Sequence, residues 1–158
     1  MLSKEKYYAT LPEKRAGAGV IFFNDKKEIL ILKPNYRDNW ILPGGVIDPN
    51  ESPRQTVIRE IKEELDLELK NPRFICVDYK HSQGIKPDGY FFIFYGGELS
   101  KNQIKKIKLQ NEELLEYKFS DILQAQNLLI YGIKNRLNTC LEAIEKNTSF
   151  YLENGKPI

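Results

Sequence analysis

Trp40–Leu69 reads WILPGGVIDPNESPRQTVIREIKEELDLEL, a glycine turn followed by a capped helix. Ser52 is a cap residue, Pro53 suits the first helical position, and Gln55 completes a capping box. Val57, Ile58, Ile61 and Leu65 recur on one side of that helix and are expected to pack on a sheet. Glu60, Glu63 and Glu64 stand at i, i+3 and i+4, within an arc of roughly 100° beside the apolar side. Carboxylates that close repel one another, by about 0.2–0.5 kcal/mol per pair on a helix. A hard cation reverses the sign, because Mg2+ or Mn2+ prefers clustered oxygen ligands. Taken alone, REIKEEL reads as a solvated helix face. Its surroundings argue for more. Glu51 is placed to pair with Arg59, tying the preceding loop to the helix. Gly44-Gly45 supplies backbone that takes positive φ and approaches a ligand closely, where a main-chain carbonyl adds an oxygen ligand.

Toward the N-terminus, residues 1 to about 15 are polar and form an expected arm. Ala18 to Phe23 (AGVIFF) reads as a buried strand, with Glu28 to Lys33 as its hairpin partner and Pro34 as its end. Toward the C-terminus, Phe74 to Tyr79 and Gly89 to Tyr95 read as strands, the second closed by Gly96-Gly97. Glu98 to Gln110 is lysine-rich, a loop or a short helix. Leu114 to Phe119 is one more strand, and Ser120-Asp121 starts a helical turn. Ile133, Leu137, Leu141 and Ile144 recur at helical spacing, giving an amphipathic helix from about Ile130 to Lys146. The tail, residues 147–158, carries the hairpin-type turn Asn154-Gly155. Strands outnumber helices in mixed order, so the fold class is α/β with a mixed sheet in one domain, 1–158.

The chain has 158 residues, and its formal net charge is only +2. That balance argues against a dedicated binder of nucleic-acid polymers. Cys76 and Cys140 lack metal or disulfide spacing and read as small buried hydrophobes in a reducing compartment. No apolar run reaches the ~20 residues of a membrane helix, and the N-terminus lacks the apolar centre of a signal peptide. A cytoplasmic protein with no membrane partner is expected.

The central string resembles the Nudix box, G-x5-E-x7-R-E-U-x-E-E-x-G-U with U aliphatic. Gly45, Glu51, Arg59, Glu60, Ile61, Glu63, Glu64 and Leu67 match, and Asp66 stands where the family has glycine. Asp is among the few residues that tolerate left-handed backbone, so a small cost in stability is expected there. The resemblance implies an α/β/α sandwich with a mixed sheet and a C-terminal helix. It also implies hydrolysis of a nucleoside diphosphate linked to another moiety, with Mg2+ (or Mn2+) as cofactor. Carried over, Glu60 and Glu64 are the principal metal ligands, Glu63 is a direct or water-mediated ligand, and Gly44 offers its carbonyl. Arg59 and Glu51 form the orienting ion pair. The general base lies in the box or on a later loop, where NEELLEYKFSDIL offers Glu112, with Glu113 as its competitor.

Substrate-binding candidates are Arg37 and Trp40. Tyr36, Tyr90 and Phe92 read as packing aromatics, His81 as a surface histidine, and Lys101, Lys105, Lys106 and Lys108 as a solvated patch. Ser82 to Ile85 carries none of the family's subclass markers, which leaves a nucleoside triphosphate, a nucleotide sugar or ADP-ribose, or a dinucleotide. The alternative is a catalytically silent nucleotide-binding sensor, which has no need of a repulsive carboxylate cluster. Family resemblance also raises a homodimer as a possible assembly.

Overall fold

Strict alternation in two adjacent strands decides the layers. Along residues 18–32, Ala18, Val20, Phe22, Leu30 and Leu32 join one buried cluster, whereas Ile21, Phe23, Ile29 and Ile31 join another. A sheet apolar on both faces has to be covered on both. The computed structural model describes residues 3–158. In chain order its elements are α1 (Lys4–Tyr8), β1 (Arg15–Phe23), β2 (Ile29–Pro34), β3 (Gly44–Val46), α2 (Pro53–Leu65), β4 (Arg73–Lys80), β5 (Gly89–Glu98), α3 (Lys101–Lys105), β6 (Leu114–Ser120), α4 (Ile122–Leu128), α5 (Tyr131–Glu145), β7 (Phe150–Glu153) and β8 (Lys156–Pro157). One mixed sheet runs β6-β2-β1-β5-β4-β7-β8, with β3 also paired to β1. The β1–β5 and β4–β7 pairs are parallel and the remaining ladders antiparallel.

Val57, Ile61 and Leu65 of α2 bury against the first face. Leu129, Leu137, Cys140 and Ala143, from α5 and the end of α4, bury against the second. The expected sandwich of helix, sheet and helix is therefore observed. None of the helices is long and apolar enough to cross a membrane, among the described residues.

Three boundaries differ from the sequence reading. Strand β1 begins at Arg15, because Arg15 to Ala18 pair with Gly89 to Phe92 of β5 and are drawn into the sheet despite their weak apolar character. The arm before it holds a short helix, α1, capped by Ser3; Met1 and Leu2 of that arm lie outside the described residues. Gly96-Gly97 does not close β5, which continues to Glu98 across an irregularity in its pairing with β1.

The tail is not a loose appendage but the edge of the sheet. Its turn residue Gly155, at φ +83°, donates its N–H to Oδ1 of the fully buried Asp78 at 2.9 Å. Asn154 donates its N–H to the Tyr79 carbonyl at 2.8 Å. Cys76 and Cys140, distant in sequence, meet as free thiols in the core, where their mutual hydrogen bond and burial push the Cys140 thiol up.

Candidate active site

The capping box is formed as the sequence implies: Ser52 Oγ accepts from the Gln55 N–H at 3.2 Å, and Gln55 Oε1 accepts from the Ser52 N–H at 2.9 Å. This fixes the start of α2 and brings Glu51 back over the helix. Glu51 then accepts from Arg59 Nε at 2.9 Å and Nη2 at 3.0 Å, a two-pronged pair. The Arg59 hydrogen bonds, joined by the Thr56 hydroxyl and the Asp48 N–H, hold the Glu51 carboxyl at about 2 against the opposing effect of burial. Thr56, fully buried, is a supporting residue that the box pattern gives no sign of.

Arg59 is the hub of the site. Its Nη1 also donates to Glu60 Oε1 at 2.8 Å and to Glu63 Oε2 at 3.0 Å, and its Nη2 to the Val46 carbonyl at 3.3 Å. Hydrogen bonding to Glu51, then to Glu60 and Glu63, raises the Arg59 pKa well above its ordinary value. Glu60, half-buried, is nonetheless raised, because burial outweighs the adjacent guanidinium.

Glu64 differs from its neighbours in having no cation beside it. It accepts one hydrogen bond, from the Gly44 N–H to Oε2 at 2.8 Å. Burial, with the charges of Glu60, Glu113 and Glu63 adding to it, raises its carboxyl to about 8 despite that bond. In this conformation Gly44 meets the cluster through its amide N–H. Glycine is required at Gly44 by backbone, and at Gly45 a side chain would displace the Glu60 carboxylate. A Cβ on Gly44, at φ +136°, would fall 2.2 Å from the Ala18 carbonyl, and one on Gly45 would fall 2.2 Å from Glu60 Oε1.

The donor set fits a hard divalent ion: carboxylate oxygens only, on one helix edge, one of them desolvated and lacking a cationic partner. In this conformation Arg59 lies between Glu51, Glu60 and Glu63, and no three acidic side chains converge into a ready cage among the described residues.

The loop before β6 is tied to α2 by the Gln110 N–H, which donates to the Glu64 carbonyl at 3.0 Å. Both loop glutamates are exposed. Of the two, Glu113 is the one whose charge acts on Glu64. Asn35 holds the backbone of both, its side chain donating to the Glu112 carbonyl at 2.6 Å and its N–H to the Glu113 carbonyl at 2.8 Å.

Across Gly44-Gly45 from the glutamates opens a cavity of about 550 Å3. Arg37, stacked on Tyr36 at 4.8 Å, lines it, as does the exposed His81. Trp40 does not. It is 8% exposed, packed in the core, with Lys118 Nζ 4.4 Å from its ring centroid, so its place in the fold is that of a packing residue. Phe92 likewise packs against the α2-side core, and Tyr90 leans on Tyr79 at 5.3 Å. Lys105, Lys106 and Lys108 border a larger open cleft of about 930 Å3 at the far end of α2, while Lys101 pairs with Asp25.

The NUDIX domain model matches residues 13–138 of this chain. An RNA pyrophosphohydrolase from Ruthia magnifica subsp. Calyptogena magnifica is 35% identical over 81 residues, 44% of this chain and 45% of that protein. A putative ADP-ribose pyrophosphatase, YjhB, from Bacillus subtilis (strain 168) is 32% identical over 101 residues, 63% of this chain and 47% of that protein. The chain spans about half the length of the curated relatives it matches. The crystal structure of a MutT protein from Methanosarcina mazei Go1 aligns with a TM-score of 0.67 at 22% identity, covering 87% of this chain and 99% of that one, a likeness of fold. The matched segment contains the glycine turn, the Glu51–Arg59 pair, the acidic edge of α2 and the sheet that carries them, and on that ground the chain belongs to the NUDIX domain family.

Proposed function

We propose that this chain hydrolyses the pyrophosphate linkage of a nucleoside diphosphate joined to another moiety, with Mg2+ or Mn2+ held by Glu60, Glu63 and Glu64. The observation that carries this reading is Glu64: a part-buried carboxyl, raised to about 8, that accepts one hydrogen bond from the Gly44 N–H, stands beside Glu60 and Glu63 and has no cation of its own among the described residues. Carboxylates that close together repel one another, and a further positive charge beside Glu64 offsets that repulsion. When bound, the ion supplies charge neutralisation on the diphosphate and activation of the attacking water. The chain supplies the geometry. Arg59 holds Glu51, Glu60 and Glu63 in one plane of hydrogen bonds, and the Gly44 N–H orients Glu64. The bare backbone of Gly44-Gly45 lets a substrate lie against the cluster. A carboxylate of the site takes the proton from the water. Glu112, with Glu113 as its competitor, is the candidate from the loop before β6, which the Gln110 N–H ties to the Glu64 carbonyl.

The test is phosphate or nucleotide release from a panel of nucleoside triphosphates, nucleotide sugars, ADP-ribose and dinucleotides with either ion. Turnover lost in Glu64→Gln with the fold retained supports the assignment. Binding without turnover in the unaltered protein would place it instead among silent nucleotide sensors.

A further inference from the structure

The cavity beyond Gly44-Gly45 is lined by cations and no carboxylate. Arg15, Arg37, Lys80, Lys86 and Arg136 border it, with His81, and no Asp or Glu does. Arg136 is the one of them that sits in an ion pair among the described residues, with Asp78. Arg15, Arg37, Lys80 and Lys86 form none among the described residues.

Two of these cations are built into the wall. The Arg136 guanidinium carbon lies 4.8 Å from the Phe91 ring centroid and that of Arg15 lies 5.2 Å from it. The ring rests on the bare backbone of Gly17, where a Cβ would stand 3.1 Å from Phe91 Cε1. Arg136 is 3% exposed. Its Nε is 2.9 Å from the Gly132 carbonyl and 3.1 Å from Asp78 Oδ2, whereas its terminal amino groups have no protein partner among the described residues. Arg15 Nε is likewise buried without a partner. Asp78 is fully buried behind the wall, so it fixes the Arg136 side chain from the side away from the cavity. A buried guanidinium anchored at Nε with its fork free is suited to phosphate, which offers several acceptor oxygens at once.

We propose that this cavity binds a second phosphate monoester of the substrate, separate from the diphosphate at the glutamate cluster, held between Arg136 and Arg15 beside Phe91. The inference rests on the hydrolase reading only in placing the scissile diphosphate on the other side of Gly44-Gly45. The monoester belongs either to a nucleotide phosphorylated at a second position or to a phosphorylated polyol.

Calorimetric titration in metal-free buffer tests the site without turnover. The ligands are adenosine, adenosine 3′,5′-bisphosphate, myo-inositol and myo-inositol hexakisphosphate. The proteins are the unaltered chain, Arg15→Gln and Arg136→Lys, the last keeping a charge for Asp78 but losing the fork. One polyphosphate is expected to bind about tenfold or more tightly than its unphosphorylated parent, the scale of one charge-assisted hydrogen bond. That gain should largely vanish in both variants. A gain in the nucleotide pair alone, the polyol pair alone or both pairs identifies the source of the monoester and supports the site. No gain in either pair, or a gain that survives both substitutions, overturns it. Should the gain be present while no panel nucleotide is hydrolysed with Mg2+ or Mn2+, the hydrolase reading fails and this site stands.

Discussion

The two sides of the Gly44-Gly45 turn carry opposite charge and reach it by different routes. On the α2 side, Glu51, Arg59, Glu60, Glu63 and Glu64 come from 14 consecutive residues, and one helix sets all but the first of their positions. On the α5 side, Arg15, Phe91, Asp78 and Arg136 come from three strands and a helix, and only the β1–β5–β4 ladder and the packing of α5 bring them together. The difference teaches where each kind of function is encoded. Chemistry that needs fixed spacing on one helix is written locally; recognition that needs a shaped wall is written across the topology.

The sharpest way to break this contrast is Glu64→Gln. If the acidic side performs the reaction and the basic side only binds, turnover on the best panel substrate falls by about a thousandfold, the scale of losing a group that stabilises transition-state charge. Polyphosphate binding in metal-free buffer should stay within about twofold. Loss of both would show that the two sides are one site.

Next in size is the buried pair itself. Arg136→Met leaves Asp78 uncompensated at 0% exposure, which is expected to cost about 3–5 kcal/mol in denaturant unfolding. Asp78→Asn combined with Arg136→Met should recover much of that loss, while leaving polyphosphate binding abolished. A single variant as stable as the unaltered protein would show that Asp78 is served by the Gly155 N–H alone.

The acidic side also predicts a pH dependence in the metal-free protein. Glu64 rises from 4.5 to about 8 on folding, so the folded state holds the extra proton between those values. Stability therefore falls as pH climbs through that window, and Glu60, raised by burial, adds the same sign. Glu51, held at about 2, acts oppositely: its contribution is lost as pH drops from 4.5 toward 2. Thermal unfolding in EDTA should peak near the ordinary carboxylate range, and Glu64→Gln should flatten the alkaline limb. An alkaline limb unchanged in that variant would remove Glu64 as its source. Saturating Mg2+ or Mn2+ requires the deprotonated form, so its stabilisation should grow over the same window.

These contrasts also explain what the sequence made legible. The capping box, the Glu51–Arg59 pair and the buried positions of α2 follow from spacing within one segment, and the left-handed Asp66 from the resemblance that puts a glycine there. The unbroken apolar run Ala18–Phe23 read as a buried strand, and its residues divide between the two faces of the sheet. Trp40 was ambiguous because an aromatic beside a glycine turn suits base stacking and core packing alike, and only the position of α4 and Leu129 decided for the core. Arg136 left one faint trace, a cation inside the apolar stripe Ile133–Leu137–Cys140 of α5. Its partner Asp78 lies in a strand whose neighbours are set by long-range pairing, which no local pattern reports. The tail was legible as a turn but not as a sheet edge for the same reason.

The smallest expected effect concerns the position where this chain departs from the family pattern. Asp66 closes α2 at φ +55°, a conformation glycine adopts freely and Asp tolerates at modest cost. Asp66→Gly relieves that strain but removes ion pairs to Lys62 and Lys108. Both lysines are largely exposed, so each pair contributes little, roughly 0–1 kcal/mol, and glycine adds chain entropy to the unfolded state. The three contributions nearly cancel, and unfolding free energy should shift by no more than about 0.5 kcal/mol at moderate salt. Salt separates them: rising ionic strength weakens the lysine pairs but not the backbone strain. The variant should therefore gain relative to the unaltered protein as salt increases. A destabilisation above about 2 kcal/mol that persists in high salt would show that the Asp66 carboxylate does more than close a helix, and the acidic side of the turn would then extend one residue further than its helix.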